Sequence, residues 1–177
     1  MKKTFIITAI TVAMATFFSS FVGVRTAKET PGKIQFNANA GSDQLFTVNE
    51  WSFTTFDLKK EAVEKMNIEL DMDMGSISCD WKDLQNSVKK KHDYFYVKNF
   101  PTAKVSIKGA TKKADGTYEC NANLILKSIM KPIVLTFSVK EENGLHIIGT
   151  GTVNRRDFDF TGSGPQDEIP VMFDFKM

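Results

Sequence analysis

The feature that most constrains this chain is a hydrophobic period of two. Met66, Ile68, Leu70, Met72 and Met74 are apolar, and Asn67, Glu69, Asp71 and Asp73 between them are polar. A helix would scatter those acids around its axis, whereas a strand places every apolar side chain on one face. Ile133, Leu135, Phe137 and Val139 repeat the alternation, as do Val105 with Ile107, and Ile169, Val171, Phe173 and Phe175. Turn dipeptides fall between these runs. Asp115-Gly116 separates 103–109 from 117–127, and Asn143-Gly144 separates 131–140 from 145–154. Both dipeptides tolerate positive φ, so the connections are local and antiparallel.

The pattern predicts eight strands, at 33–39, 44–57, 66–74, 103–109, 117–127, 131–140, 145–154 and 168–176, the second of them bent near Asn49-Glu50. One helix is expected over about 80–92, capped by Asp80 or Ser78, with its lysines toward the C-terminal end. A short helix over 59–65 is allowed, and 161–167 reads as a Gly/Ser/Pro loop. Eight strands with one apolar face each bury it either in a sandwich or in a closed barrel, and the pattern alone leaves both open.

The N-terminus reads differently. Lys2-Lys3 precede fourteen uncharged residues, Phe5 to Phe18, and then Ser19-Ser20. A basic start, a short apolar core and small residues form a secretory signal, here residues 1–27. The remaining 28–177 are expected to be one domain in the periplasm or outside the cell. The alternative is an uncleaved anchor, because the apolar run extends to Val24 and twenty residues can span a bilayer. Cleavage would take three positive charges (Lys2, Lys3, Arg25) off the chain's +2, leaving −1. That balance offers no electrostatic basis for binding nucleic acid.

Residues able to run a reaction are few. The chain has no HExxH, GxSxG, phosphate-binding loop or GxGxxG sequence, so it is expected not to be an enzyme and to need no metal. His92 and His146 are far apart and read as solvated imidazoles. Glu69, Asp71 and Asp73 read as a solvated strand face, since a Ca²⁺ site needs oxygens converging on a loop. Cys79 and Cys120 are either a disulfide or two separate thiols, with Cys120 packing as a small hydrophobe. Arg155-Arg156-Asp157 interrupts an apolar strand end, and is expected to pin a rim by ion pairs rather than to meet an anionic head group.

From Leu70 onward the chain resembles the YceI-like family of exported bacterial lipid-binding proteins. Four segments carry the resemblance, in the family's order. They are Asp71-Met72-Asp73-Met74-Gly75-Ser76-Ile77; the run from Asp93-Tyr94-Phe95 through Phe100-Pro101-Thr102-Ala103 to Val105; Tyr118, Ala122, Leu124, Leu126 and Lys131-Pro132-Ile133; and Asn154-Arg155-Arg156-Asp157-Phe158. Ala122, Ser128 and Asp159 stand where the family carries glycine. The resemblance implies an eight-stranded, lipocalin-like β-barrel that holds a polyisoprenoid or similar amphiphile.

On that reading the ligand partner is an amphiphilic lipid, an isoprenoid quinone or polyprenyl lipid, with no other cofactor. The inward faces nominate its lining. These are Phe36 from the first strand; Ile68, Leu70 and Met72; Val105 and Ile107; Tyr118, Leu124 and Leu126; Leu135 and Phe137; Val153; and Val171 and Phe173. Phe95, Phe100 and Phe158 are added from the connecting segments. The alternative is a stress or interaction protein whose barrel is filled by its own side chains.

Overall fold

The computed structural model describes residues 32–39 and 44–177. The signal segment nominated above lies outside them. The described strands are β1 (Gly32–Asn37), β2 (Leu45–Val48), β3 (Trp51–Asp57), β4 (Asn67–Asp73), β5 (Ile77–Ser78), β6 (Thr102–Lys108), β7 (Thr111–Lys112), β8 (Tyr118–Leu126), β9 (Ile129–Glu141), β10 (Leu145–Asn154) and β11 (Glu168–Lys176). All pair antiparallel in one ladder, in the order β3-β4-β6-β8-β9-β10-β11-β1-β2-β5, with the short β7 on β8.

Eleven segments make eight long strands and the short β7, because two of the long strands are bent. β2 runs into β3 through Asn49-Glu50, the bend expected from the sequence, and β4 runs into β5 through a 3-10 turn at Met74–Ser76. The two bends are bonded to each other. Ser76 Oγ accepts from the backbone N–H of Asn49 (3.1 Å) and of Glu50 (2.9 Å), and the Asn49 amide donates to Ser78 Oγ at 2.8 Å. Side chains thus satisfy backbone donors that a straight ladder would have paired. The ladder curls until its ends meet. β2 pairs with β1 on one side, while β3 brings Trp51 and Phe53 against the Phe175 ring of β11, at centroid separations of 4.8 and 5.3 Å. The result is a curled antiparallel β-barrel of lipocalin type, with the core along its axis.

Capping elements sit at the two ends. A 3-10 turn at Lys60–Lys65 buries Val63 and is tied to β9 by the Lys60–Glu141 pair at 2.8 Å. At the opposite end lies α1 (Lys82–Lys90), whose Val88 is buried. Neither Asp80 nor Ser78 caps it. The N-cap is Trp81, without a side-chain hydrogen bond, and the Cys79 N–H is instead bonded to Gln85 Oε1.

Asn143 and Gly144 both have positive φ, as expected at their hairpin. A third tight hairpin, β8 to β9, turns on Lys127 (φ +50) and Ser128 (φ +63), with Leu126 opposite Ile129. Two consecutive left-handed residues belong to a type I′ turn, where glycine is the natural second residue. Asp159, which ends the 3-10 turn Arg155–Phe158, has φ +56. Two of the three departures from the family's glycines therefore lie where the backbone is left-handed. Ser128→Gly is expected to raise stability by about 0.5–1 kcal/mol, the left-handed penalty less glycine's chain entropy. The check is a melting temperature higher by roughly 2 °C.

Candidate functional site

Inside the barrel the inward faces leave two adjoining chambers. The deep one, about 130 Å³, is lined by Ile68, Leu70 and Met72 of β4, Val105 and Ile107 of β6, Leu124, Leu135, Phe137, Val153, Val171 and Phe173, all nominated from the sequence. Residues not nominated complete it, among them Ile34, Phe53, Leu58, Met66, Ile133, Ile147 and Phe175. The upper chamber, about 250 Å³, takes the nominated Phe36, Phe95 and Leu126, together with Phe46, Val48, Met74, Leu84, Val88, Tyr94, Phe160 and Ile169. Many of the missed residues share the inward parity of their strands. Leu84 and Val88 could not be placed this way, since nothing in the sequence says which strands α1 covers.

Three nominated residues line neither chamber. Phe158 is fully buried within the 3-10 turn after β10 and acts as packing. Tyr118 is buried, stacked on Phe137 at a centroid distance of 5.7 Å, which removes its ring from the cavity surface. Phe100 precedes β6, is half-exposed, and lies 6.4 Å from the Tyr96 ring.

Glycine creates part of the interior. A Cβ at Gly149 would collide with Phe173 and Phe137, and one at Gly151 would meet Leu135 Cδ2 at 2.5 Å. Those neighbouring side chains fill what two β10 side chains would otherwise occupy. The deep chamber is walled only by hydrocarbon and methionine sulfur, and none of its lining residues is exposed. The upper chamber reaches the surface at Asn39, Ser163 and Gly164, so this end is the mouth.

Arg155 borders the upper chamber at 6% exposure. Its Nη1 donates to the carbonyls of Phe160 and Gly162, both at 2.8 Å, and its Nε to that of Gln166 at 3.0 Å. Nη2 lies 3.0 Å from Asp167. The guanidinium thus shapes the 159–167 loop, the structural role expected for this motif. Lys127 adds a second tie. Its Nζ donates to the carbonyls of Asp159 (2.8 Å) and His92 (3.2 Å) and lies 5.0 Å from the Phe160 ring centroid. Burial lowers its pKa. Tyr94 O–H donates to the Ser163 carbonyl at 3.1 Å, and Thr161 Oγ1 to Asp93 at 3.0 Å. Hydrogen bonds from His92 and Thr161 hold the Asp93 carboxyl below its ordinary value. The mouth is a belt of side-chain ties between two loops.

The remaining chemical candidates stand as follows in the fold. Asp71 is paired with Lys104 at 2.9 Å, and Asp73 accepts from the Gly75 N–H at 2.7 Å. Cys79 and Cys120 are free thiols, and burial pushes Cys120 up to about 11. His146 corrects the expectation of a solvated ring. Its side chain is only 12% exposed, with Nε2 2.9 Å from Asp174 and Nδ1 3.4 Å from Glu142. Outward parity was right, but the carboxylates of the neighbouring strand and turn cover the ring.

A family model described as a YceI-like domain matches residues 14–177. A UPF0312 protein of Pseudomonas savastanoi pv. phaseolicola is 26% identical over 132 residues, 69% of this chain and 66% of the relative's length. Among solved structures, Burkholderia cenocepacia BcnA superposes with a TM-score of 0.74 at 16% identity, over 81% of this chain and 94% of that one. A polyisoprenoid binding domain from Saccharophagus degradans, described as implicated in plant cell wall breakdown, superposes with a TM-score of 0.61 at 11% identity. It covers 82% of this chain and 92% of that one.

Proposed function

The chain belongs to the YceI-like family, and from that premise we propose that it is a non-enzymatic binding protein that holds a polyisoprenoid, a quinone or polyprenyl lipid, along its barrel axis as carrier or reservoir. The observation that carries this reading is the pair of adjoining apolar chambers, which among the described residues reach the surface at Asn39, Ser163 and Gly164. Burying on the order of 500 Å² of prenyl chain at ~25 cal/mol/Å² supplies about 12 kcal/mol. Lost translational and chain freedom removes roughly 4 kcal/mol, which leaves about 8 kcal/mol, or micromolar affinity, without any charged contact. Arg155 fits that account, since its donors are already engaged by the loop it supports.

The reading also places the protein outside the cytoplasm, after removal of residues 1–27. N-terminal sequencing of the native protein tests this, and a chain beginning at Met1 would favour the anchor. For the ligand, protein purified from its native host is extracted with organic solvent and analysed by mass spectrometry. A stoichiometric prenyl lipid is expected. A clean extract would turn attention to the outer surface, where Met130 and Val134 of β9 are exposed.

A further inference from the structure

The two adjoining chambers share five wall residues: Ile34, Met72, Leu124, Val153 and Val171. These come from β1, β4, β8, β10 and β11, so they form a waist around the barrel axis. We propose that this waist sets the length of chain the protein accepts, and that Met72 is its moving part.

The argument rests on the chemistry of the five side chains. Valine and isoleucine are branched at Cβ and hold one preferred χ1, and leucine is branched at Cγ. Methionine alone in the ring is unbranched, with three rotatable bonds and a polarisable sulfur that packs in more than one geometry. Met72 is 8% exposed and stands opposite Ala103 across the β4–β6 ladder. Ala103, 1% exposed, borders the upper chamber and is small. On its other side Met72 stands opposite Trp51 of β3, so the thioether has room to swing only toward the short Ala103, while the other four walls stay in place. A short amphiphile fills the upper chamber and leaves Met72 where it is. A longer chain displaces the thioether and enters the deep chamber, where it gains burial with every methylene that passes.

This inference rests on the lipid-binding reading, and the test separates the two. The full-length protein is incubated with an equimolar mixture of farnesol and solanesol, freed of unbound prenol by gel filtration, and its bound prenols are quantified by mass spectrometry. Met72→Ala opens the waist, and is expected to raise the solanesol-to-farnesol ratio about tenfold, a modest share of the burial a longer chain gains. Met72→Ile keeps the volume but fixes χ1, and is expected to lower the ratio by about the same factor with farnesol retained. Melting curves confirm that each variant is folded; should Met72→Ala not fold, Met72→Ile decides. Ratios unchanged in folded variants that still retain prenol overturn the waist but leave lipid binding intact. If the unaltered protein retains neither prenol, the lipid-binding reading itself fails.

Discussion

Leu124→Asp and Phe137→Asp are each expected to destabilise the barrel by about 4 kcal/mol or more, the sum of lost apolar burial and an unpaired carboxyl in a dry interior. Leu124 is 6% exposed and Phe137 5%, and both face the deep chamber, whose lining is apolar; Lys131 stands opposite Leu124 across the β8–β9 ladder, so Phe137 gives the cleaner test. An aspartate there must either stay protonated, with its pKa raised, or pull water into the axis. Each is bracketed by an outward neighbour, Asn123 and Ser138, at which Asp is expected to change stability by no more than about 0.5 kcal/mol. Urea unfolding of the four variants checks the assignment of faces. Equal midpoints would show that the parity is wrong for β8 and β9 together, since their register links the two strands.

Arg155→Met is expected to cost about 3 kcal/mol, because it removes the common partner of three carbonyls and a carboxylate at a buried site. Arg156→Met is the control. Arg156 lies beside Arg155 and its Nε contacts the same Asp167 oxygen at 2.9 Å, but its side chain is 49% exposed. Exposed pairs of that kind contribute less than about 1 kcal/mol. Amide hydrogen exchange should show where the difference falls, with protection lost first over 159–167 in the Arg155 variant and retained in the Arg156 variant. A similar cost for both would mean that the belt around the mouth does not depend on the buried guanidinium.

The two arginines also mark how far the sequence could be read. Parity along β4, β8, β9 and β11 placed the apolar faces inward, because strand geometry is strictly periodic and needs no knowledge of neighbours. The bend at Asn49-Glu50 was visible as a polar pair inside an otherwise strand-like run. By contrast, the Lys127-Ser128 turn carries neither glycine nor asparagine. Its left-handed residues are held in a surround that includes the Lys127 amine bonded to two distant carbonyls, and no local rule anticipates such a tether. The site divides in the same way. Which residues face the axis followed from pattern, whereas the split into two chambers depends on how five side chains from five strands meet at one level. Phe100, Tyr118 and Phe158 were misplaced for a related reason. Aromatic character marks a residue as buried or packed, but not whether its ring meets a cavity or another ring.

The pairing of β1 with β11, Gly32 opposite Phe175, sets the order in which events occur during synthesis. The first described strand has to wait for the last one before the sheet can close on that side. At ~5–20 residues per second, a ribosome needs on the order of ten seconds to make the intervening chain. Throughout that interval β1 has an unclaimed edge and the inward faces have no completed barrel to enter, so the nascent chain remains threadable and also sticky. Closure is then governed by a contact between the two extremes of the described chain, the kind of long-range pairing that makes folding slow. Loss of the final nine or ten residues would remove β11 and, with it, the partner that both β10 and β1 need.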